Sequence, residues 1–468
     1  MATYNSYYTF IPVFEKEDIG IEFGGFIVDK FINSQPGAKY EKGNPVLTTS
    51  PLSSENSNVP SISKSGVPVW DDISFADAMI VCANRGKGWH LMTPYEQAAL
   101  AYLTKDYNIQ PSGNNSGGDN PPSNYDDNSE VGIYDGEVNG RSLTGTGSLK
   151  WVANKIFDLN GVAREWVMML MASNKHDNPG ELYIPANENL KYLESPFGRG
   201  VYRENDEENF ERVYLSSSDL SPLSVGNSVR SDDSEASGYI VAIDDDNDYV
   251  YVRLTEGSFE DKSELIDTTA GETLTIDDSA GTGSTGIDGL VSIKCDNSSS
   301  TVWDKKWETN EFEEKYLYIA ESTDSGEMVD IIANTENEII FDPTTNMNDN
   351  FTNLKKSTFC IFRTIGASNI TDNFSSSTWY TIESLYTDSD LGPYAVISES
   401  TDSATIYSGK QYFNYDSDPI GTSSAKYIGC ETGGAYNDED KSGVFMKVFE
   451  ASLDHHRTET SFRACKII

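Results

Sequence analysis

Five cysteines, four histidines and a large excess of carboxylates are the raw material for chemistry in this chain. The cysteines are Cys82, Cys295, Cys360, Cys430 and Cys465, and no two have Cys-x-x-Cys spacing. An odd, scattered set reads neither as a disulfide framework nor as a zinc site. The thiols are expected to serve as small buried hydrophobes. His455 and His456 are adjacent, so on a strand their side chains point to opposite faces and do not easily converge on one metal. His90 follows Trp89 just before a helix signal and reads as a packing residue. Asp244, Asp246 and Asp248 imitate the start of an EF-hand loop. Tyr249 then occupies the obligatory glycine position and Thr255 the twelfth, so a solvated hairpin turn is expected instead. No Ser/His/Asp set or phosphate loop stands out. An enzyme is not expected.

Recognition chemistry is better represented. The run Gly433-Gly434-Ala435-Tyr436-Asn437-Asp438-Glu439-Asp440 leads through Gly443-Val444-Phe445 towards Phe462-Arg463. Glycine and apolar residues form a frame, and polar and aromatic residues fill it. The contact candidates are Tyr436, Asn437, Asp438 and Asp440 in one run, and Asp454, His455, His456, Arg457, Thr458 and Glu459 in another. Tyrosine offers large contact area with few rotors to freeze, while Asn, Asp and His offer adaptable hydrogen bonds. A rigid frame lowers the ordering cost of binding. From composition alone, ordinary solvated loops are the better account of both runs.

The elements that must hold these runs follow from composition and pattern. The chain has 468 residues, 37% of them hydrophobic, enough for a sizeable core and more than one module. Gly, Ser, Thr, Asn, Asp and Tyr are abundant, which favours strands and loops. The formal net charge of -41 argues against a nucleic-acid partner and suits a soluble particle component or an extracellular surface. The opening Met1-Ala2-Thr3-Tyr4-Asn5 does not begin a secretory signal, and no apolar run reaches transmembrane length. The expected site of synthesis is therefore a cytoplasm, although the surface suits the outside.

Along the chain, Gly24-Gly25-Phe26-Ile27-Val28-Asp29 reads as a strand bounded by glycines. Ser74-Phe75-Ala76-Asp77 has capping-box spacing, and Phe75, Ala78, Met79 and Cys82 recur on one helical face. Thr93-Pro94-Tyr95-Glu96 starts a second helix, with Thr93 as cap and Glu96 reaching back. Residues 112–130 have loop composition. Apolar residues flank a turn at Asn160-Gly161. Hairpins are expected over 238–254 and 328–341. The division read from the chain is 1–204, then an acidic β-rich insertion of one or two small modules over 205–365, then 366–468 with the binding stretch at 433–463.

Four motifs in order carry a family resemblance: Trp70 with Phe75-Ala76-Asp77-Ala78; Gly88-Trp89-His90-Leu91-Met92-Thr93-Pro94-Tyr95-Glu96; Phe157-Asp158-Leu159-Asn160-Gly161-Val162-Ala163-Arg164-Glu165-Trp166; and Gly433-Gly434-Ala435-Tyr436 with Phe462-Arg463. The chain resembles the formylglycine-generating-enzyme/C-type-lectin superfamily over about 1–200 and 420–468. Within it the chain looks most like phage tail and host-recognition proteins, including variable proteins of diversity-generating retroelements. Ser461 stands where those proteins usually have Gly. The resemblance implies an α+β, C-type-lectin-like domain with neighbouring N- and C-terminal strands. It also implies a tail-fibre tip or receptor-binding protein in a virion. The partners would be a host-surface receptor, protein or glycan, and other virion proteins, in a homo-oligomer such as a trimer, without membrane insertion. A capsid or tail decoration protein is the alternative. A formylglycine-generating-enzyme-like oxidase is a third reading, although no cysteine follows the Gly-Gly motif where that family carries its pair. No cofactor is required. Asn160, Gly161, Ala163 and Glu165 fall where some members bind a structural Ca²⁺, and Glu165 bonding backbone amides beside a core Trp166 is the competing reading.

Overall fold

The computed structural model describes residues 6–16, 21–41, 44–46, 59–106, 141–146, 156–159, 161–186, 194–203, 210–217, 219–244, 248–260, 262–277, 291–295, 305–320, 328–341, 357–365, 380–381, 412–420, 424–438 and 443–468. It corrects the expected fold class. The protein is β-rich rather than α+β, with several antiparallel sheets and, among the described residues, two short helices. The two helix signals were sound, but they mark short elements in a chain whose aromatic, β-branched and turn-forming residues otherwise build strands.

The chain divides into two compact units. The first comprises Met1–Gly198, Ile319–Glu327 and Phe362–Ile468; the second comprises Arg199–Tyr318 and Met328–Ile361. This stands beside the expected insertion at 205–365. In the second unit a six-stranded antiparallel sheet encloses Val213, Ile240, Val252, Phe259 and Leu265. Its Ser237–Asp244 and Tyr249–Glu256 strands form one of the expected hairpins, and Met328–Asn334 and Glu338–Phe341 form the other.

The first unit carries the candidate site. One sheet has the order Tyr8–Ile11, Phe26–Asp29, Ala464–Ile467, Trp89–Leu91, all antiparallel. In a second set of strands Arg164–Ala172 is central, and every one of its residues is buried. It pairs antiparallel with Leu182–Pro185 and with Tyr427–Gly433, and parallel with Thr460–Phe462. Tyr427–Gly433 continues to Gly443–Ser452, which pairs parallel with Tyr412–Ile420. The core between these layers contains Phe26, Val28, Val167, Met169, Ile428, Cys430, Phe449 and Cys465, together with Ala99, Leu100 and Leu103 of a helix.

Both helices start as their sequences dictate. For Phe75–Ala83, the Ser74 hydroxyl accepts from the Asp77 amide at 3.1 Å. For Pro94–Asp106, the Thr93 amide donates to Glu96 Oε2 at 2.8 Å and the Glu96 amide donates to Thr93 Oγ1 at 3.1 Å, a reciprocal capping box. Glu96 also faces His90 Nε2 at 3.0 Å, while His90 Nδ1 donates to the Gly88 carbonyl at 2.8 Å. The ring packs on Phe197. His90 is thus fully engaged inside the unit.

Candidate functional site

Alternation along the central strand separates a core face from a polar face. Glu165, Val167 and Met169 point one way, and Arg164 and Trp166 the other. On the core side, Glu165 meets Arg463, which is completely buried. Arg463 Nε and Nη2 donate to the two carboxylate oxygens at 2.9 and 2.8 Å. Its remaining donors reach the carbonyls of Asp29 and Phe157, both at 2.9 Å. Burial pushes the Glu165 carboxyl upward, opposed by the Arg463 charge. This fork clamps the start of the central strand to the last residues of the chain.

The polar side holds a charge network. Arg164 Nε and Nη2 grip Asp438 Oδ2 and Oδ1 at 2.8 and 2.7 Å. Arg164 Nη1 reaches Glu450 Oε2 at 2.9 Å and Glu431 Oε2 at 3.2 Å. Arg457 Nη1 approaches the same two oxygens at 3.2 and 3.3 Å. Arg457 Nε lies 3.9 Å from Glu459 Oε2, and Thr460 Oγ1 donates to Glu431 Oε1. Burial would raise the Asp438 carboxyl, but the Arg164 guanidinium overrides it and holds it below the usual carboxylate range. Burial likewise opposes the Arg164 charge, yet Asp438, Glu431 and Glu450 keep that residue protonated.

Local backbone chemistry shapes both runs. Gly433 and Gly434 both have φ of +86°, a left-handed pair that other residues rarely adopt. The turn behind them closes when the Ala435 amide donates to Asp438 Oδ2 at 2.7 Å and the Asp438 amide to the Ala435 carbonyl at 3.2 Å. The second run is tied to the segment before the Phe75–Ala83 helix. His456 Nδ1 donates to the Asp72 carbonyl at 2.8 Å, the Asp72 amide to Arg457 O at 2.9 Å, and the Phe75 amide to Leu453 O at 3.1 Å. Arg141 Nη1 donates to Thr458 O at 2.7 Å. His455 is pushed towards its neutral form by burial and by the Arg457 charge. Ser452 Oγ bonds Asp454 Oδ1 at 2.6 Å.

The two candidate runs therefore converge, through Arg164 and Arg457, on Glu431 and Glu450. Asn437 and Thr458 are exposed; Tyr436, Asp438, Asp454, His455, His456, Arg457 and Glu459 are half-buried. Asp440 lies outside the described residues. Arg164, Glu431 and Glu450 are organising residues to which sequence reasoning assigned no role. The signal was available in one case: Arg164 alternates with Glu165 on a strand otherwise apolar to its end.

Of the calcium candidates, Asn160 lies outside the described residues. Gly161 donates to Gly433 O at 3.1 Å, and Ala163 packs with Ile32, Val69 and Val162. Glu165 spends both oxygens on Arg463 rather than on backbone amides. Among the described residues no three His, Cys, Asp or Glu side chains come together as a metal-binding group. The five cysteines are free and buried. The sequence matches no family model and no curated protein.

Proposed function

We propose that the first unit is a surface-recognition module of a phage virion, a tail-fibre tip or receptor-binding protein, and that it contacts a host surface with the residues around Asn437 and Thr458. The observation that carries this reading is the convergence of 436–438 and 454–459 on one buried arginine–carboxylate network. Such a network holds loop side chains in place before a partner arrives, which lowers the cost of binding. Non-covalent contact through Tyr436, Asn437, His455 and Thr458 needs no chemistry, and several copies would multiply a weak single contact. The test is binding of labelled protein to a panel of bacterial cells. Tyr436→Ala, Asn437→Ala and Thr458→Ala are expected to reduce binding about tenfold together, with unchanged thermal unfolding. Undiminished binding by the triple variant refutes the assignment.

A decoration role is the second reading, favoured by one observation. Tyr7, Tyr8, Phe10 and Val13 are exposed, and Tyr8–Ile11 is an edge strand among the described residues. Uncovered apolar edges suit assembly contacts.

A further inference from the structure

Asp77 is an anomaly in the first turn of the Phe75–Ala83 helix. The residue is completely buried, and neither carboxylate oxygen has a hydrogen-bond partner. The Ser74 hydroxyl, which accepts from the Asp77 amide, eases the carboxylate only in part, and burial outweighs it. Native structures rarely leave a buried carboxylate in this condition, and one that persists calls for a physical account. Among the described residues the neighbouring charge that acts on it is His456. That histidine belongs to the second run of the recognition face and is fixed by its bond to the Asp72 carbonyl. Leu453 O and Arg457 O tie the same run to the amides of Phe75 and Asp72. The other charged groups nearby are engaged elsewhere: Asp71 with Arg141, Arg457 with Glu431 and Glu450, and Asp454 with Ser452. His455 flanks His456, which with Arg457 opposes the His455 charge.

We propose that Asp77 and His456 form a proton-sensitive latch, which holds the Leu453–Glu459 segment against the start of the Phe75–Ala83 helix when Asp77 is protonated and loosens it when Asp77 ionises. Burial drives the Asp77 carboxyl up from 3.8 to about 7, with His456 and, more weakly, Ser74 pulling the other way. A segment that opens to water returns the carboxyl to its ordinary range. The closed form therefore binds the extra proton between those two values. Closure is favoured at acid pH, weakens as pH rises towards about 7, and is constant above it. The latch itself is independent of what the face binds; its bearing on recognition rests on the reading above.

Amide hydrogen exchange of the full chain, corrected for intrinsic rates, tests this without any binding partner. In the wild type, protection of amides in Leu453–Glu459 should fall on the order of tenfold or more between about pH 4 and about 7. In Asp77→Asn the same amides should show a flat profile. Identical profiles in the two proteins, or a flat wild type, overturn the proposal. Should Asp77→Asn fail to fold, His456→Gln provides the second arm. Carboxyl NMR should then show the Asp77 titration moved upward, because an attractive charge is gone. An unmoved midpoint overturns the pairing. Loss of cell binding with an intact latch would count against the recognition reading alone.

Discussion

Replacing Arg463 by lysine should destabilise the first unit far more than the conserved charge suggests. The guanidinium makes four hydrogen bonds of 2.8 to 2.9 Å, two to Glu165 and one each to the Asp29 and Phe157 carbonyls. A lysine ammonium is a single point with no planar fork, so it cannot meet the carboxylate bidentately and reach both carbonyls. At least two buried acceptors lose their donor, each at about 1–3 kcal/mol, so the expected loss is about 3–5 kcal/mol. Arg463→Met should cost a similar amount at neutral pH, about 3–5 kcal/mol, because it leaves Glu165 buried and alone. The two variants separate with pH. The Glu165 carboxyl already sits above its ordinary value, and without Arg463 it rises further, so acid neutralises it and the methionine penalty shrinks. The lysine penalty, which stems from missing geometry, does not. Urea unfolding followed by tryptophan fluorescence at neutral and mildly acid pH measures both, since Trp70, Trp89 and Trp166 all lie in the first unit. A loss under about 1 kcal/mol for both substitutions would refute the view that this clamp joins the central strand to the chain's end.

Two other perturbations follow from buried groups. Lys447 is enclosed in the same unit, where its ammonium donates to Gln97 Oε1, and burial lowers it from 10.5 to about 8. The folded state then holds fewer protons than the unfolded chain between those values, so Lys447 should make stability rise with pH across that window, by about 3 kcal/mol in total. Urea midpoints of Lys447→Met should lack that rise; an identical pH slope in both proteins would show that the amine is not so strongly perturbed. Gly429→Ala should cost about 1–3 kcal/mol in thermal unfolding, since a Cβ there would lie 2.6 Å from Trp166 Cζ3 and 3.2 Å from Leu453 Cδ2. A neutral effect would mean that Trp166 yields more readily than its complete burial implies.

Local signals were legible in the sequence where a few neighbouring residues decide the structure. Ser74 with Asp77, and Thr93 with Glu96, specify helix starts through bonds spanning three residues. The glycine pair at 433–434 announces a left-handed turn. The fold class was misread because two well-marked helices and a family resemblance outweighed the strands, whose pairing is decided by partners far away in the chain. Trp166, for instance, lies beside both Glu431 and Phe462. The site was legible as two polar runs, but not as one place. Arg164 is separated from Asp438 by 274 residues, and the choice of Asp438 over any other carboxylate depends on the turn that presents it. Asp77 was read as part of a helix start, a role its amide fulfils; that its carboxylate would be stranded is a property of packing that spacing cannot convey.

The interleaving of the last residues between early strands has a kinetic consequence. Ala464–Ile467 sits between Phe26–Asp29 and Trp89–Leu91, and Arg463 donates to Asp29 across 434 positions. During synthesis Phe26–Asp29 and Trp89–Leu91 must each wait, with one pairing edge unfilled, until Ala464–Ile467 has been made. Contacts of such long range are slow to form, and the waiting edges are the surfaces on which a nascent chain misassembles. The acidic composition of the chain would act in that interval as much as in the finished protein, since like charge keeps incomplete copies apart.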